Sequence, residues 1–291
     1  LGSLEPSLTI TSLLQMRFPA ELLEEIVLNL AGDTSSLRSC SYSGSAMVKA
    51  AQRQLFYTLT IKPPTLEERR QGTSPTQKIV KLLINSPHLA HYVAQLRLQD
   101  VGQIIETQVG CWCNWIAVDD HLVQLLGMLD GIRHLVWDNG VSGLHVQNMP
   151  PGLVDAFSRA FATWPLVNVE ISSLSGMQGF SWFRSMMSLR QLRLTSVEVV
   201  DYGDPVGSTS AQAPCLTTLC IEQPYQRSMA NLLRRLVADK ELNISGLRTL
   251  RFISSNGEYD GAADLKVIQG ILQEAEHSIE EMELSPSLFS K

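Results

Sequence analysis

One pattern recurs along this chain and limits what it can fold into: an apolar residue, two residues of any kind, an apolar residue, one further residue, and an apolar residue. It occurs at Phe56-Leu59-Ile61, Val93-Leu96-Leu98, Ile132-Leu135-Trp137, Leu166-Val169-Ile171, Leu189-Leu192-Leu194, Leu216-Leu219-Ile221, Leu247-Leu250-Phe252 and Ile279-Met282-Leu284. The last two apolar positions of each copy alternate as on a strand with one buried face, while the first begins the turn into it. Between copies lie stretches of helical periodicity: Thr76 to Asn85, His121 to Leu129, Leu153 to Ala162, Trp182 to Met187, Ser228 to Ala238 and Leu265 to Ala275. Each is too short to be a stable helix alone, so each needs the strand beside it. The expected fold is therefore α/β, a unit of strand, turn and helix stacked so that the strands form one parallel sheet. Measured between first apolar residues, the steps after the opening copy are 39, 34, 23, 27, 31 and 32 residues. Such uneven spacing predicts an irregular stack, with Pro63 to Pro75 and Gly203 to Pro214 as surface loops.

Stacking also fixes what faces outward. With Leu192 and Leu194 inward, Gln191, Arg193 and Thr195 point away from the core, and equivalent triplets align from copy to copy. The middle column then reads Arg97, Val136, Glu170, Arg193, Cys220, Arg251 and Glu283. Gln95, His134, Asn168, Gln191, Thr218 and Thr249 flank it on one side, and Asp138, Glu222 and Ile253 on the other. From this face Arg97, His134, Asp138, Glu170, Gln191, Arg193, Glu222 and Arg251 are the candidate partner-binding residues. Arg97, Arg193 and Arg251 would offer forked donors to an acidic or phosphorylated segment, because guanidinium geometry matches carboxylate and phosphate. The competing reading is that these residues only keep a half-buried sheet soluble.

The pattern resembles the leucine-rich-repeat family, which implies a solenoid. It departs from that family in lacking the Asn that follows the strand: around Leu189 to Leu194 the corresponding position is Val197.

Ahead of the repeats, the run from Phe18 to Leu30 places Leu22, Leu23, Ile26, Val27 and Leu30 on one helical stripe. Pro19 suits a helix start, Glu21, Glu24 and Glu25 suit its positive end, and Gly32 offers a left-handed stop. Asp33, Thr34 or Ser35 can cap a second helix holding Leu37 and Cys40, and a third is expected from Ser43 to Ser45 through Met47, Ala50 and Ala51 into Leu55-Phe56. Three short helices bury little by themselves, so the segment is expected to dock on something.

The succession Phe18-Pro19-Ala20-Glu21-Leu22-Leu23 with Ile26 and Leu30, then Leu37-Arg38-Ser39-Cys40, then Ala50 and Leu55-Phe56, resembles an F-box of the fungal type. The resemblance covers residues 17–61 and leaves 1–16 as a flexible lead and 62–291 as the solenoid. It implies that Phe18, Pro19, Leu22, Leu23, Ile26, Leu37 and Cys40 bind a Skp-type linker subunit of a cullin-RING ubiquitin ligase, or support the face that does. The rest of the chain would then select a protein substrate. The alternative is a scaffold of similar shape, with a helical cap and no ligase role. The family usually carries Val, a basic residue and Trp where this chain has Ser43, Ser45 and Met47.

Composition narrows the field further. The chain has 291 residues, 44% of them hydrophobic and 18% charged, with a formal net charge of −6. An acidic chain with no basic cluster does not suit a phosphate backbone, so no nucleic-acid partner is expected. Its five cysteines are an odd number spread over a long chain, which fits a reducing compartment, cytoplasmic or nuclear. No segment reads as a secretory leader or a membrane span, and Asn243-Ile244-Ser245 reads as a chance sequon. The chain begins with Leu1-Gly2-Ser3 rather than Met, which leaves an upstream segment open. Walker, G-x-G-x-x-G, H-E-x-x-H and G-x-S-x-G motifs are absent, so an interaction protein without cofactor is expected rather than an enzyme. Cys111, Cys113, Asp119, Asp120 and His121 do not offer four ligands at zinc spacing, and Trp112 and Trp115 read as packing under a loop. Glu274, Glu276, Glu280, Glu281 and Glu283 read as a solvated end face.

Overall fold

The computed structural model describes residues 19–43, 45–100, 105–106, 112–140, 143–178, 181–200, 213–223, 232, 242–254 and 261–284. Phe18, the helix expected over 228–238 but for Leu232, and the loop over 203–214 but for its last two residues lie outside that set. The chain forms two compact units that divide between Tyr57 and Thr58.

The first unit is three helices: α1 (Ala20–Asn29), α2 (Thr34–Ser43) and α3 (Ser45–Tyr57). Pro19 stands at the N-cap of α1, and its carbonyl accepts from the amides of Leu22 and Leu23 at 3.1 and 3.2 Å. After α1 the chain turns through Gly32 at φ +100°, a conformation that a side chain would strain. Asp33 then caps α2: its Oδ1 accepts from the amides of Ser35 and Ser36 at 3.0 and 3.1 Å, and its Oδ2 from the Ser36 hydroxyl at 2.6 Å. The core of this unit is small. Val27, Leu37, Ala50 and Ala51 are buried, with Leu30, Cys40, Met47 and Leu55 packed partly against them.

The second unit is built on an eight-stranded sheet in which the strands follow chain order: β1 (Thr58–Ile61), β2 (Gln95–Gln99), β3 (His134–Asp138), β4 (Asn168–Ser172), β5 (Gln191–Thr195), β6 (Thr218–Gln223), β7 (Thr249–Ser254) and β8 (Glu281–Leu284). Every neighbouring pair is parallel. Thr58–Ile61 thus pairs as the first strand of the sheet, and the boundary between the units falls four residues ahead of the one the resemblance suggested.

The register aligns the repeat copy by copy. Leu59, Leu96, Leu135, Val169, Leu192, Leu219, Leu250 and Met282 are successive partners, and so are Ile61, Leu98, Trp137, Ile171, Leu194, Ile221, Phe252 and Leu284. From β2 to β7 all of these side chains are at most 2% exposed. The pairing extends one residue ahead of the strands, from the carbonyl of Ala94 through Arg133, Val167, Arg190, Thr217 and Arg248 to the amide of Glu280. Just past the strands, Ser173 and Ser196 occupy the same place in adjacent copies, each at φ 54°. That conformation is uncommon outside glycine, so its recurrence marks one turn repeated.

Helices cover the apolar side. After β1 come α4 (Leu66–Arg70) and α5 (Pro75–Asn85); after β2, α6 (Trp115–Val118) and α7 (Leu122–Met128); then α8 (Pro151–Thr163) after β3, α9 (Ser181–Arg184) after β4 and α10 (Gly261–Glu274) after β7. The helices α5, α7, α8 and α9 pack neighbour on neighbour. They bury Val80 and Leu83, Leu125 and Leu126, Phe157 and Phe161, and Phe183. Trp137 of β3 stacks on Phe157 of α8 at 4.3 Å between ring centres. Such aromatic contacts add to what burial alone contributes. Among the described residues no helix is long and apolar enough to cross a membrane.

Two expectations need correction. The stretch Pro63 to Pro75 contains α4, which starts on a reciprocal capping box between Thr65 and Glu68, as well as the first residue of α5. The turn-stabilising Asn expected at position 197 is replaced by a fully buried Val197, but the third copy supplies an amide of its own one position earlier. Asn139, fully buried, accepts from the Trp137 indole N–H at 2.9 Å and donates to the Ser172 carbonyl at 2.9 Å. Asn114 donates both to it and to Asp100, at 3.4 and 3.2 Å. A buried polar group is tolerated only when bonded, and here the bonds tie together the ends of β2, β3 and β4.

Candidate interaction surfaces

On the first unit the expected linker-binding residues separate into two layers. Pro19, Leu22 and Ile26 are exposed, Leu22 and Ile26 each at 42%, and Leu23 is half-buried beside them. Leu37 is 2% exposed and belongs to the core, with Cys40 packed against it, so these two support the face from beneath. Leu28, which the stripe did not include, is 57% exposed and lines a groove of about 200 Å³ with Val27, Ala50 and Gln54. Glu24 and Arg53, ion-paired at 3.4 Å, line it as well. Leu22 and Ile26, four residues apart, stand on one side of the helix; Leu28 lies off that stripe, and only packing shows it.

On the second unit the register sets the outward residues in three columns. The middle one runs Thr60, Arg97, Val136, Glu170, Arg193, Cys220, Arg251, Glu283. The first includes Gln95, His134 and Gln191, and the third Asp138 and Glu222. All eight candidate partner-binding residues therefore share one face. Their charges are not equally available. Arg251 contacts Glu281 at 2.7 Å and Glu283 at 3.5 Å, and the first of these bonds pushes its pKa above the ordinary arginine value. Arg193 pairs with Glu222 at 3.5 Å. The Gln95 amide, turned so that its nitrogen donates to Thr58, accepts from Arg97 at 3.0 Å. The Glu170 carboxylate, by contrast, has no hydrogen bond or ion pair among the described residues. Cys220 sits in the column between Arg193 and Arg251, and burial pushes its thiol pKa up despite them.

A third feature lies past the carboxyl ends of β1 and β2, where segments following the two strands enclose a cavity of about 210 Å³. Pro64 and Ser74 come from the first segment, and Trp115, Val118, Asp119 and Asp120 from the second. The Trp115 indole, 1% exposed, is fixed by donating to the carbonyl of Gln99, the last residue of β2, at 3.2 Å. Asp119 Oδ1 accepts from the His121 amide at 2.9 Å, and its Oδ2 is buried without a partner. In the sequence Asp119, Asp120 and His121 stand out only beside Cys111 and Cys113, as a set that falls short of a zinc site; among the described residues no group of His, Cys, Asp and Glu side chains converges to hold a metal ion. Nothing in the residue order announces the cavity, because its walls lie about 50 residues apart in the chain.

No family model, no curated protein and no solved structure matches this chain.

Proposed function

We propose that the chain is a substrate-recognition adaptor of a Skp-cullin-F-box type ubiquitin ligase. In this reading the three-helix unit holds a Skp-type linker and the second unit, read as an irregular leucine-rich-repeat-like solenoid, holds a protein substrate. The chain would contribute binding and no bond chemistry, and would act in the cytoplasm or nucleus. The observation that carries the reading is the state of α1: Leu22 and Ile26 stand 42% exposed on a unit whose core, among the described residues, has four buried side chains. Apolar anchors at helical spacing suit insertion into a partner's groove. The aligned, mixed polar face of the sheet supports the second half of the reading, since Gln191 and Arg193 on it are exposed and Arg97, Glu170 and Arg251 partly so.

The test is a calorimetric titration of the full chain with a Skp-type subunit. Binding by the wild type, and its loss in Ile26→Asp with thermal unfolding unchanged, is the expected result. Leu23→Asp should behave alike. A wild-type chain that shows no heat of binding ends the ligase reading, and the protein is then an interaction scaffold. The sequence feature that would account for that outcome is already visible: Met47, half-buried against the small core, stands where the family has Trp.

A further inference from the structure

We infer that the cavity past the ends of β1 and β2 is a receptor for a lysine side chain of a partner polypeptide. This inference is independent of the ligase reading, because it uses none of the residues of the three-helix unit.

Both walls are fixed by their own bonds. On one side Thr65 and Glu68 cap α4 reciprocally, the Arg69 Nε donates to the Pro64 carbonyl at 3.1 Å, and Lys78 of α5 reaches Glu68 at 2.6 Å. Ser74 caps α5 by accepting from the Gln77 amide at 3.1 Å. On the other side Asn114 caps α6 by accepting from the Ile116 amide at 3.0 Å, and the Trp115 indole holds to Gln99. A site built this way needs little ordering when something enters it.

Its size and chemistry then restrict the occupant. The cavity, about 210 Å³ and open to solvent on one side, has room for one side chain. Pro64 and the half-exposed Val118 give an apolar wall for an aliphatic stem. The carboxylates of Asp119 and Asp120 line the cavity as well, and no Lys or Arg does so among the described residues. Asp119 Oδ2 is a buried acceptor that lacks a donor, a condition that folded proteins rarely leave uncorrected. The carboxylate's broad χ2 lets it turn toward a donor that enters.

A guanidinium asks for paired acceptors in a plane, and Asp119 has one oxygen already held by the His121 amide. An ammonium is a compact charge with three donors. It can share them among Asp119 Oδ2, the exposed Asp120 and the remaining lone pair of the Ser74 hydroxyl. A hard metal ion is disfavoured by geometry, since neighbouring carboxylates and imidazole do not converge.

The test uses the isotope-labelled full chain and follows the Trp115 indole N–H by nuclear magnetic resonance. The probes are capped lysine (N-acetyl-lysine methylamide), the capped norleucine and arginine analogues, and n-butylamine. The expected result is a saturable shift with capped lysine, weakened about tenfold or more in Asp119→Asn and in Asp120→Asn, with norleucine inert. Asp119→Asn keeps an oxygen for the His121 amide; should it fail to fold, the exposed Asp120→Asn decides. Absence of a saturable shift, an equal shift with norleucine, or undiminished binding in folded variants overturns the site. Arginine binding as well as lysine overturns the choice of ammonium, and n-butylamine binding as well as capped lysine assigns the cavity to free amines and overturns the polypeptide partner.

Discussion

The repeat strands of the second unit and helix α1 of the first place their leucines and isoleucines differently. In the second unit the repeat positions from β2 to β7 are at most 2% exposed, each strand giving two side chains to a continuous layer that neighbours on both sides help to close. In the first unit α1 spans ten residues, yet among its described side chains Val27 alone is buried, and Leu22, Ile26 and Leu28 remain 42 to 57% exposed. A parallel sheet multiplies burial because every added strand covers its neighbour as well as itself. A three-helix unit has no such multiplication, and apolar side chains of α1 stay exposed. The same residue types are therefore closed into a layer on the strands and left exposed on α1.

This contrast can be broken most directly in the sheet. Leu192→Ala, Leu219→Ala or Leu250→Ala removes a side chain that is at most 1% exposed and has partners on both flanking strands. Each should lower stability by about 2 to 5 kcal/mol, read by chemical denaturation of the full chain. A loss below about 1 kcal/mol at all three would mean that the layer is not a close-packed core. Next in size is Asn139→Ala, which leaves the buried Trp137 indole without its acceptor, while the Ser172 carbonyl keeps the backbone amide of residue 139 at 3.2 Å. The expected cost is about 1 to 3 kcal/mol, because an unpaired buried group loses its water without compensation. Asn139→Asp, which keeps the acceptor but not the donor, should fall short of full rescue.

Within the sheet itself the eighth copy sharpens the comparison. Met282 occupies the register position of Leu250 but is 48% exposed, because β8 has a described neighbour on one side only. Met282→Ala should change stability by no more than about 0.5 kcal/mol, a tenth of the largest interior effect. A cost comparable to Leu250→Ala in the same denaturation series would show that something covers β8.

How much of this could be read beforehand depends on the element. A strand has only two faces, so an apolar residue at every second position determines which side is buried, and parallel neighbours copy that choice without offset. The inward rows and the outward columns were therefore legible to the residue. The α4 helix was hidden by composition: Pro63, Pro64, Thr65, Gly72, Thr73 and Ser74 read as loop, although Thr65-x-x-Glu68 is itself a capping signal. Asn139 was missed because a family template looks three residues past the last apolar position and this chain uses the second. The ion pairs of Arg251 follow from register, since Glu283 is its partner on β8 and Glu281 faces Thr249, but two glutamates on one arginine needed coordinates. For the same reason the face offers fewer free guanidinium groups than three arginines suggest. The exposure of Leu28 and the lysine-sized cavity are products of packing between segments, which no local pattern contains.

The smallest expected effect lies in the first unit, at the cap of α2. Hydrogen bonds from the Ser36 and Ser35 hydroxyls lower the Asp33 pKa from 3.8 to about 2. Since the folded value is depressed, the cap's contribution is fully present above the ordinary value and is lost as pH falls toward the folded one. Acidification from about pH 4 to about pH 2 should therefore fray the first turn of α2 and leave the register of the sheet unaffected, because the cap is local to residues 33–36. The measurement is the carboxyl carbon shift of Asp33 against pH, with helical ellipticity followed in parallel. Ser36→Ala should raise the titration midpoint toward 3.8, and Ser35→Ala should raise it less, in the order of the bonds that depress it. A wild-type midpoint already at 3.8 would mean that the cap does not form in solution. The helix would then begin without its strongest local signal, and α2 would be held by the packing of Leu37 and Cys40 in the small core rather than by its own first turn.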